Sequence, residues 1–466
     1  MKNLECIITD GKKKLAVHPS KMIVYLQGKI VEAFDKNDDV HYLLFFKEEY
    51  LTTLKVTSVR RRSFLEKAHK YGETYPAPHP FIHDLLSPDT TYQKRSLHQL
   101  RGKFQNQHTT QETALMLTFF DAFMSKKDLF EDIQSLYYQH RRSGQLFMGY
   151  RIIRVLMDFT PKHSWVKQLS NEMEFLTFKE MYQDLSDRLW EQDPIFMEKT
   201  LYFRRKQTEN FQQLLHFFKE EKRWIDVLSL LMDYISRNGA DAYYDEFVQW
   251  LDLYYSDEQK HLILEDLYSK SPHIEPLQRD LLQIHLSLHQ LQKAMQLLKQ
   301  HDMTLEDNQG EAFENMLENI DLSSGAIEVE QLNTYIAPLL ETEPGKAEKI
   351  LQKCMNQLLA NRDITYISKW LEPIRQKSQK SPTVAQIDKM KKMREDPDKQ
   401  LQLGEMYYNF NQLDQAIDCF SWEMELNKSD PQPVRWLSKI YLELGKKEES
   451  KAYQELYRNM QQQENA

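Results

Sequence analysis

A chain of 466 residues with only 12 glycines, 41% hydrophobic residues and a net charge of −9 is too long for one ordinary core and too apolar to remain unfolded. Its three cysteines, Cys6, Cys354 and Cys419, lie far apart with no Cys-x-x-Cys pair, which argues for a reducing compartment and against structural zinc. No apolar run approaches the roughly 18 residues of a membrane span, and charges at Lys2, Glu5 and Asp10 leave no signal-peptide core, so a cytoplasmic chain without a membrane partner is expected.

Residues 1–75 read as a small β-rich basic module. Leu4 to Thr9, Lys14 to His18, Met22 to Phe34 broken at Gly28, Val40 to Phe46 and Leu51 to Val56 are short β-branched or aromatic runs. Asp10-Gly11, Pro19-Ser20 and the polar segment Lys36 to Asp39 separate them, which predicts an antiparallel sheet of four or five strands. Charge is lopsided: residues 1–110 carry +6, leaving −15 for the rest. Lys55, Arg60, Arg61, Arg62, Lys67 and Lys70 form the densest basic run and suit an anionic partner, either an acidic protein or a nucleic-acid backbone. A solvated strand-to-helix junction is the commoner use of such a run. No RNP-like or helix-turn-helix pattern surrounds it, so nucleic acid is the less favoured partner.

Pro76, Pro78, Pro80 and Pro88 mark residues 76–96 as a proline-rich linker. His79 and His83 stand four apart beside Asp84, but Pro80 disfavours the helical face that ligation needs and no third nitrogen or sulfur ligand lies nearby. They are read as linker histidines, and no metal is expected.

Helical periodicity governs residues 97–377. Ala114, Leu115, Leu117, Phe119, Phe120 and Phe123 give one apolar helix, and Phe130, Ile133, Leu136 and Tyr137 its neighbour. A further pair is centred on Leu214, Leu215 and Phe218, then Trp224, Val227, Leu228 and Leu231. Leu281, Leu291, Ala294 and Leu298 fit the same alignment. The segment is read as degenerate helical repeats, in which most aromatics and Cys354 are packing residues. Residues 378–396 are either a polar linker or a helix from Val384 to Arg394 that bridges to the C-terminal segment.

Residues 397–464 repeat visibly. Leu403 and Tyr407 recur 34 positions later as Leu437 and Tyr441, and the small residues Gly404 and Ala416 as Ser438 and Ser450. Asn411-Gln412 and Gly445-Lys446 break each unit in the middle, and Ser429-Asp430-Pro431 separates the two. This pattern resembles the tetratricopeptide repeat (TPR), whose paired helices need a residue without bulk where they cross. Departures occur at Lys428, Gln400, Val434 and Gln454, where the family has proline, tryptophan, tryptophan and an aromatic. The resemblance implies a mostly α fold, a TPR-like helical solenoid behind the small antiparallel β domain.

It also implies a concave groove lined by the first helix of each unit, with Asp398, Leu401, Glu405, Tyr408 and Asn409, then Gln432, Arg435, Lys439, Leu442 and Glu443 facing it. Of these, Glu405, Tyr408, Asn409, Arg435 and Lys439 are the candidate partner-binding residues. The cations suit an acidic segment, Tyr408 a floor and Asn409 a backbone clamp. Leu401 and Glu405 occupy the positions of the Lys/Asn carboxylate clamp in the family's chaperone-tail subclass, which disfavours that subclass. No GxGxxG, P-loop, GxSxG or HExxH is present, so no catalytic residue and no cofactor are expected.

The favoured reading is therefore a non-enzymatic scaffold or adaptor that binds a protein or peptide. A peptide-sensing regulator with a TPR-like array is the alternative, although the effector modules of such regulators are helical and this head reads as strands. A nucleic-acid-associated protein using the basic module is the third.

Overall fold

The computed structural model describes residues 5–56, 59–87, 90–184, 187–239, 242–303, 305, 307–318, 329, 332–377 and 381–464. Leu4, Pro88 and residues 378–380 lie outside the described residues. The chain forms two compact units, Met1–Ile284 and His285–Ala466. It is mostly helical, with an N-terminal sheet, and among the described residues no helix is long and apolar enough to cross a membrane.

In the first unit the antiparallel sheet is present and larger than expected. Strands β1 (Cys6–Asp10), β2 (Lys13–Tyr25), β3 (Gly28–Asp35), β4 (Val40–Phe46) and β5 (Glu49–Lys55) form a meander. Left-handed residues at Gly11, Leu26, Asp38 and Lys47 close its four turns. β2 runs unbroken through Pro19 because a register shift between Pro19 and Lys21 absorbs the proline at a bulge. β3 and β4 are buried along nearly their whole length, so they lack the alternation of a half-solvated strand.

Residues 76–96, expected as a linker, belong to the fold instead. β6 (Glu73–Pro76) pairs with the second half of β2, and β7 (Thr91–Gln93) adds to β1 in parallel. Between them lies a helix, Pro80–Leu85, with Phe81, Ile82 and Leu85 buried. Proline serves there as a helix starter rather than a breaker. His79 caps that helix, its Nδ1 accepting from the Phe81 N–H at 3.2 Å, so it is a buried structural residue and not a linker histidine.

The expected boundary near residue 75 falls inside this unit, because the sheet is fastened to helices far along the chain. Lys29 on β3 donates to Asp226 at 2.6 Å, and Asp226 also accepts from Arg223 Nε at 2.9 Å. Arg223 makes a two-pronged contact with Glu198 at 2.8 and 2.9 Å, and all four side chains are buried. Arg205 bridges Glu73 and Asp233, while Tyr75 donates to Ser229 and Tyr255 to Asp84.

Five helical hairpins among the described residues share one turn. At Gly144, Lys222, His289, Asn411 and Gly445 the backbone is left-handed, with φ of 71°, 56°, 54°, 56° and 74°. The next residue's N–H then reaches back five positions: Gln145 to His140, Arg223 to Phe218, Gln290 to His285, Gln412 to Tyr407 and Lys446 to Tyr441, at 2.8–3.0 Å. Eight positions before each turn residue stands a buried leucine: Leu136, Leu214, Leu281, Leu403 and Leu437. Five positions after it stands Gly149, Val227, Ala294, Ala416 or Ser450, again buried. The hairpins at Gly144, Lys222 and His289 thus carry the same construction as the last two, although their spacing along the chain has lost the regular period.

In the second unit, the described part of 378–396 is the helix Pro382–Met393, as the bridging alternative required. Ser381 caps it, Arg375 pairs with Asp388 at 2.5 Å, and Thr383 donates to Glu348 at 2.7 Å. It packs against the helices Pro344–Asn361 and Ile364–Trp370 on one side and Gln400–Asn409 on the other.

Candidate partner-binding groove

Four helices end the second unit: Gln400–Asn409, Leu413–Leu426, Gln432–Glu443 and Lys447–Glu464. Ala416, Phe420, Leu437 and Ile440 form their core. The small positions do what the crossing demands. A Cβ on Gly404 would stand 2.7 Å from Cε1 of the fully buried Phe420, so only glycine admits that ring. In the second pair, Ser438 and Ser450 each donate a hydroxyl to the other's carbonyl, at 3.2 and 2.9 Å. Serine is small enough for the crossing, and its polar atom is satisfied within the pair.

This core carries an open cavity of about 480 Å³, lined chiefly by Glu405, Arg435, Trp436, Lys439, Leu442 and Tyr457. A volume of that size lies in the ordinary range of ligand sites, roughly 300–1,000 Å³. Trp436 is its fixed wall. Its ring stacks on Phe420 at 5.6 Å and 1°, and its Nε1 donates to Glu405 at 3.2 Å. Tyr408 lies against Trp436 at 5.0 Å and donates to Glu443 at 2.5 Å. The Lys439 ammonium sits over both rings, 4.5 Å from Tyr408 and 4.9 Å from Trp436. Among the described residues, neither Arg435 nor Lys439 has a carboxylate within ion-pair distance, and both are exposed. The two nearby glutamates are held by Trp436 and Tyr408 instead.

Of the residues named from sequence, Glu405, Arg435 and Lys439 line this cavity together, and Tyr408 supports it through Lys439 and Trp436. Asn409 is exposed and does not line it. Trp436, Gln454 and Tyr457 were missed. Trp436 was legible as the residue three before Lys439 on the same helical face. Tyr457 lies on the second helix of its pair, where the family's first-helix rule does not look.

The basic run of the first unit does not gather into one free surface. Lys55 pairs with Asp39, and Arg60 donates to the Asp121 and Met124 carbonyls at 2.9 and 2.6 Å. Lys70 lies over the Tyr71 ring at 5.1 Å, and Lys67 lines a separate cavity. Arg61 and Arg62 are exposed. Adjacent positions scatter here because the segment changes from coil to helix at Ser63, which turns successive side chains in different directions. All three cysteines are buried free thiols, and burial pushes each up to about 12.

No model of a known protein family matches the chain, and no curated protein matches it. Among solved structures, one described as the structure of Naa15/Naa10 bound to HypK-THB is similar over 78% of this chain at 9% identity, with a TM-score of 0.20. This chain spans 60% of that one, and a likeness at that score carries no argument about function.

Proposed function

We propose that this protein is a non-enzymatic adaptor of the tetratricopeptide kind, whose last two helix pairs hold an acidic segment of a partner protein. The observation that carries the reading is the pair of exposed cations Arg435 and Lys439, without a carboxylate partner among the described residues, beside a rigid Tyr408/Trp436 wall in the 480 Å³ groove. Cations whose own carboxylates are tied up elsewhere attract an acidic chain, and the aromatic wall gives a side chain of that chain somewhere to pack. The exposed Leu442 adds an apolar contact at the groove edge.

The test is affinity capture by the full chain from nuclease-treated lysate, comparing wild type with Arg435→Glu/Lys439→Glu and with Arg61→Glu. A partner protein lost only from the double variant is expected, and its binding should weaken as salt rises. Retention of the same partners by the double variant contradicts the reading. A partner captured only when the nuclease is left out, or lost from Arg61→Glu, moves the function to the basic run.

A further inference from the structure

The groove has a counterpart one repeat earlier, and there it is filled. Lys439, Leu442 and Gln454 each stand 34 positions after a residue of the preceding helix pair: Glu405, Tyr408 and Phe420. The helix Gln432–Glu443 docks on those three. Its Trp436 stacks on Phe420, donates to Glu405 and lies against Tyr408, while its Glu443, two turns further on, accepts from Tyr408. By the chain's own repeat, then, the face that carries the groove is a face that receives a helix. Stacked helix pairs bury their apolar surface only against such a neighbour, and Leu442 on this face is 55% exposed.

The residues that differ between the two faces say what the received helix must carry. Lys439 stands in place of Glu405, so the contact that took the donating indole of Trp436 now asks for an acceptor, and its charge asks for an acid. Gln454 stands in place of Phe420 and offers an amide rather than a ring. Arg435, one turn before Lys439 on the same helix, stands in place of Leu401 and asks for a second acid one turn before the first. Leu442 replaces the Tyr408 hydroxyl that held Glu443, so the position two turns after the acid becomes apolar. Glu405 also reaches the groove, where the Trp436 N–H already engages it.

We infer that the groove takes its partner segment as an α-helix, seated as Gln432–Glu443 is seated on the preceding pair. Two acids one turn apart meet Arg435 and Lys439, and an apolar residue seven positions after the second acid meets Leu442. Anchors at that spacing are how a helix is read in a groove. This inference rests on the acidic-segment reading above and adds the segment's conformation and the register of its contacts.

The experiment is titration calorimetry on the full chain with three synthetic peptides of about five helical turns. The first carries the two acids and the apolar residue at this spacing, the second adds one central proline, and the third has lysine for the second acid. Saturable binding of the first is expected, with the proline peptide at least roughly tenfold weaker because proline breaks the helix. Lys439→Glu should weaken the first peptide by about tenfold and favour the third by a similar factor, a swap that reads the register through a gain as well as a loss. Equal binding of the proline peptide, with both lost from Arg435→Glu/Lys439→Glu, overturns the helix and leaves the acidic-segment reading in place. No saturable binding of any of the three at millimolar concentration also overturns the helix, and the acidic-segment reading falls with it only if lysate capture returns no partner that depends on Arg435 and Lys439. A dimer of the chain alone that is lost in the double variant would put a second copy on this face and overturn the inference.

Discussion

Lys29 is wholly buried 197 positions from the aspartate that neutralises it. Burial pulls its ammonium downward and Asp226 opposes that pull. Burial alone would raise Asp226, yet the adjacent Arg223 and Lys29 hold its carboxyl below the usual range. Such a group is valuable only whole. Asp226→Ala leaves Lys29 buried without a counter-charge and Arg223 with Glu198 alone, and is expected to cost about 3–5 kcal/mol, read as a lower urea midpoint. A change within about 0.5 kcal/mol would mean that water already screens the cluster. His79 is the other residue with a sharp consequence. Burial, aided by Lys270, pushes its imidazole down from 6.5 to about 3. Between those values the unfolded chain binds a proton that the folded chain refuses, so stability falls as pH falls through that window. From pH 7 to pH 5 this amounts to about 2 kcal/mol. Asp84 acts in the opposite sense, because burial raises its carboxyl to about 6 and its protonation favours the folded state over part of the same range. The quantity to compare is therefore the pH slope of wild type minus that of His79→Leu, which isolates the histidine; equal slopes would show that His79 titrates normally.

At the scale of the hairpin, one left-handed residue, a leucine eight positions before it and a small residue five after it define the element. Two of those features were legible in the last two pairs because the residues kept their types at a fixed spacing. In the earlier hairpins the small position is filled by Gly149, Val227 or Ala294 and the turn by glycine, lysine or histidine, so the signature survives mainly in the backbone. Lys222 holds a conformation that suits glycine, and Lys222→Gly is expected to raise stability by up to about 1 kcal/mol, as relief of strain outweighs added chain freedom. No gain in the denaturation midpoint would show that the turn is not strained. Gly404→Val runs the other way. Its side chain displaces Phe420, which stacks on Trp436, so a loss of about 1–3 kcal/mol should be accompanied by a change in tryptophan emission.

At the scale of the molecule, the fold class and the N-terminal sheet were readable from periodicity, while the division of the chain was not. The proline-rich segment looked like a boundary because local sequence cannot show that Thr91–Gln93 pairs with β1 or that Glu73–Pro76 pairs with β2. Lys29 likewise reads as an ordinary strand lysine until Asp226 is brought to it. In the groove, Glu405, Arg435 and Lys439 followed from the repeat register, but Tyr457 did not, because the cavity also draws on a second helix. Whether the groove holds an acidic protein segment, as proposed, is read most directly by placing a photo-cross-linking benzoylphenylalanine at Leu442 of the full chain. Adducts mapping to an Asp/Glu-rich stretch of another protein, and lost when Arg435→Glu/Lys439→Glu is added, are the expected result. Adducts that persist through the charge reversal, or none beyond those within the chain itself, would contradict it.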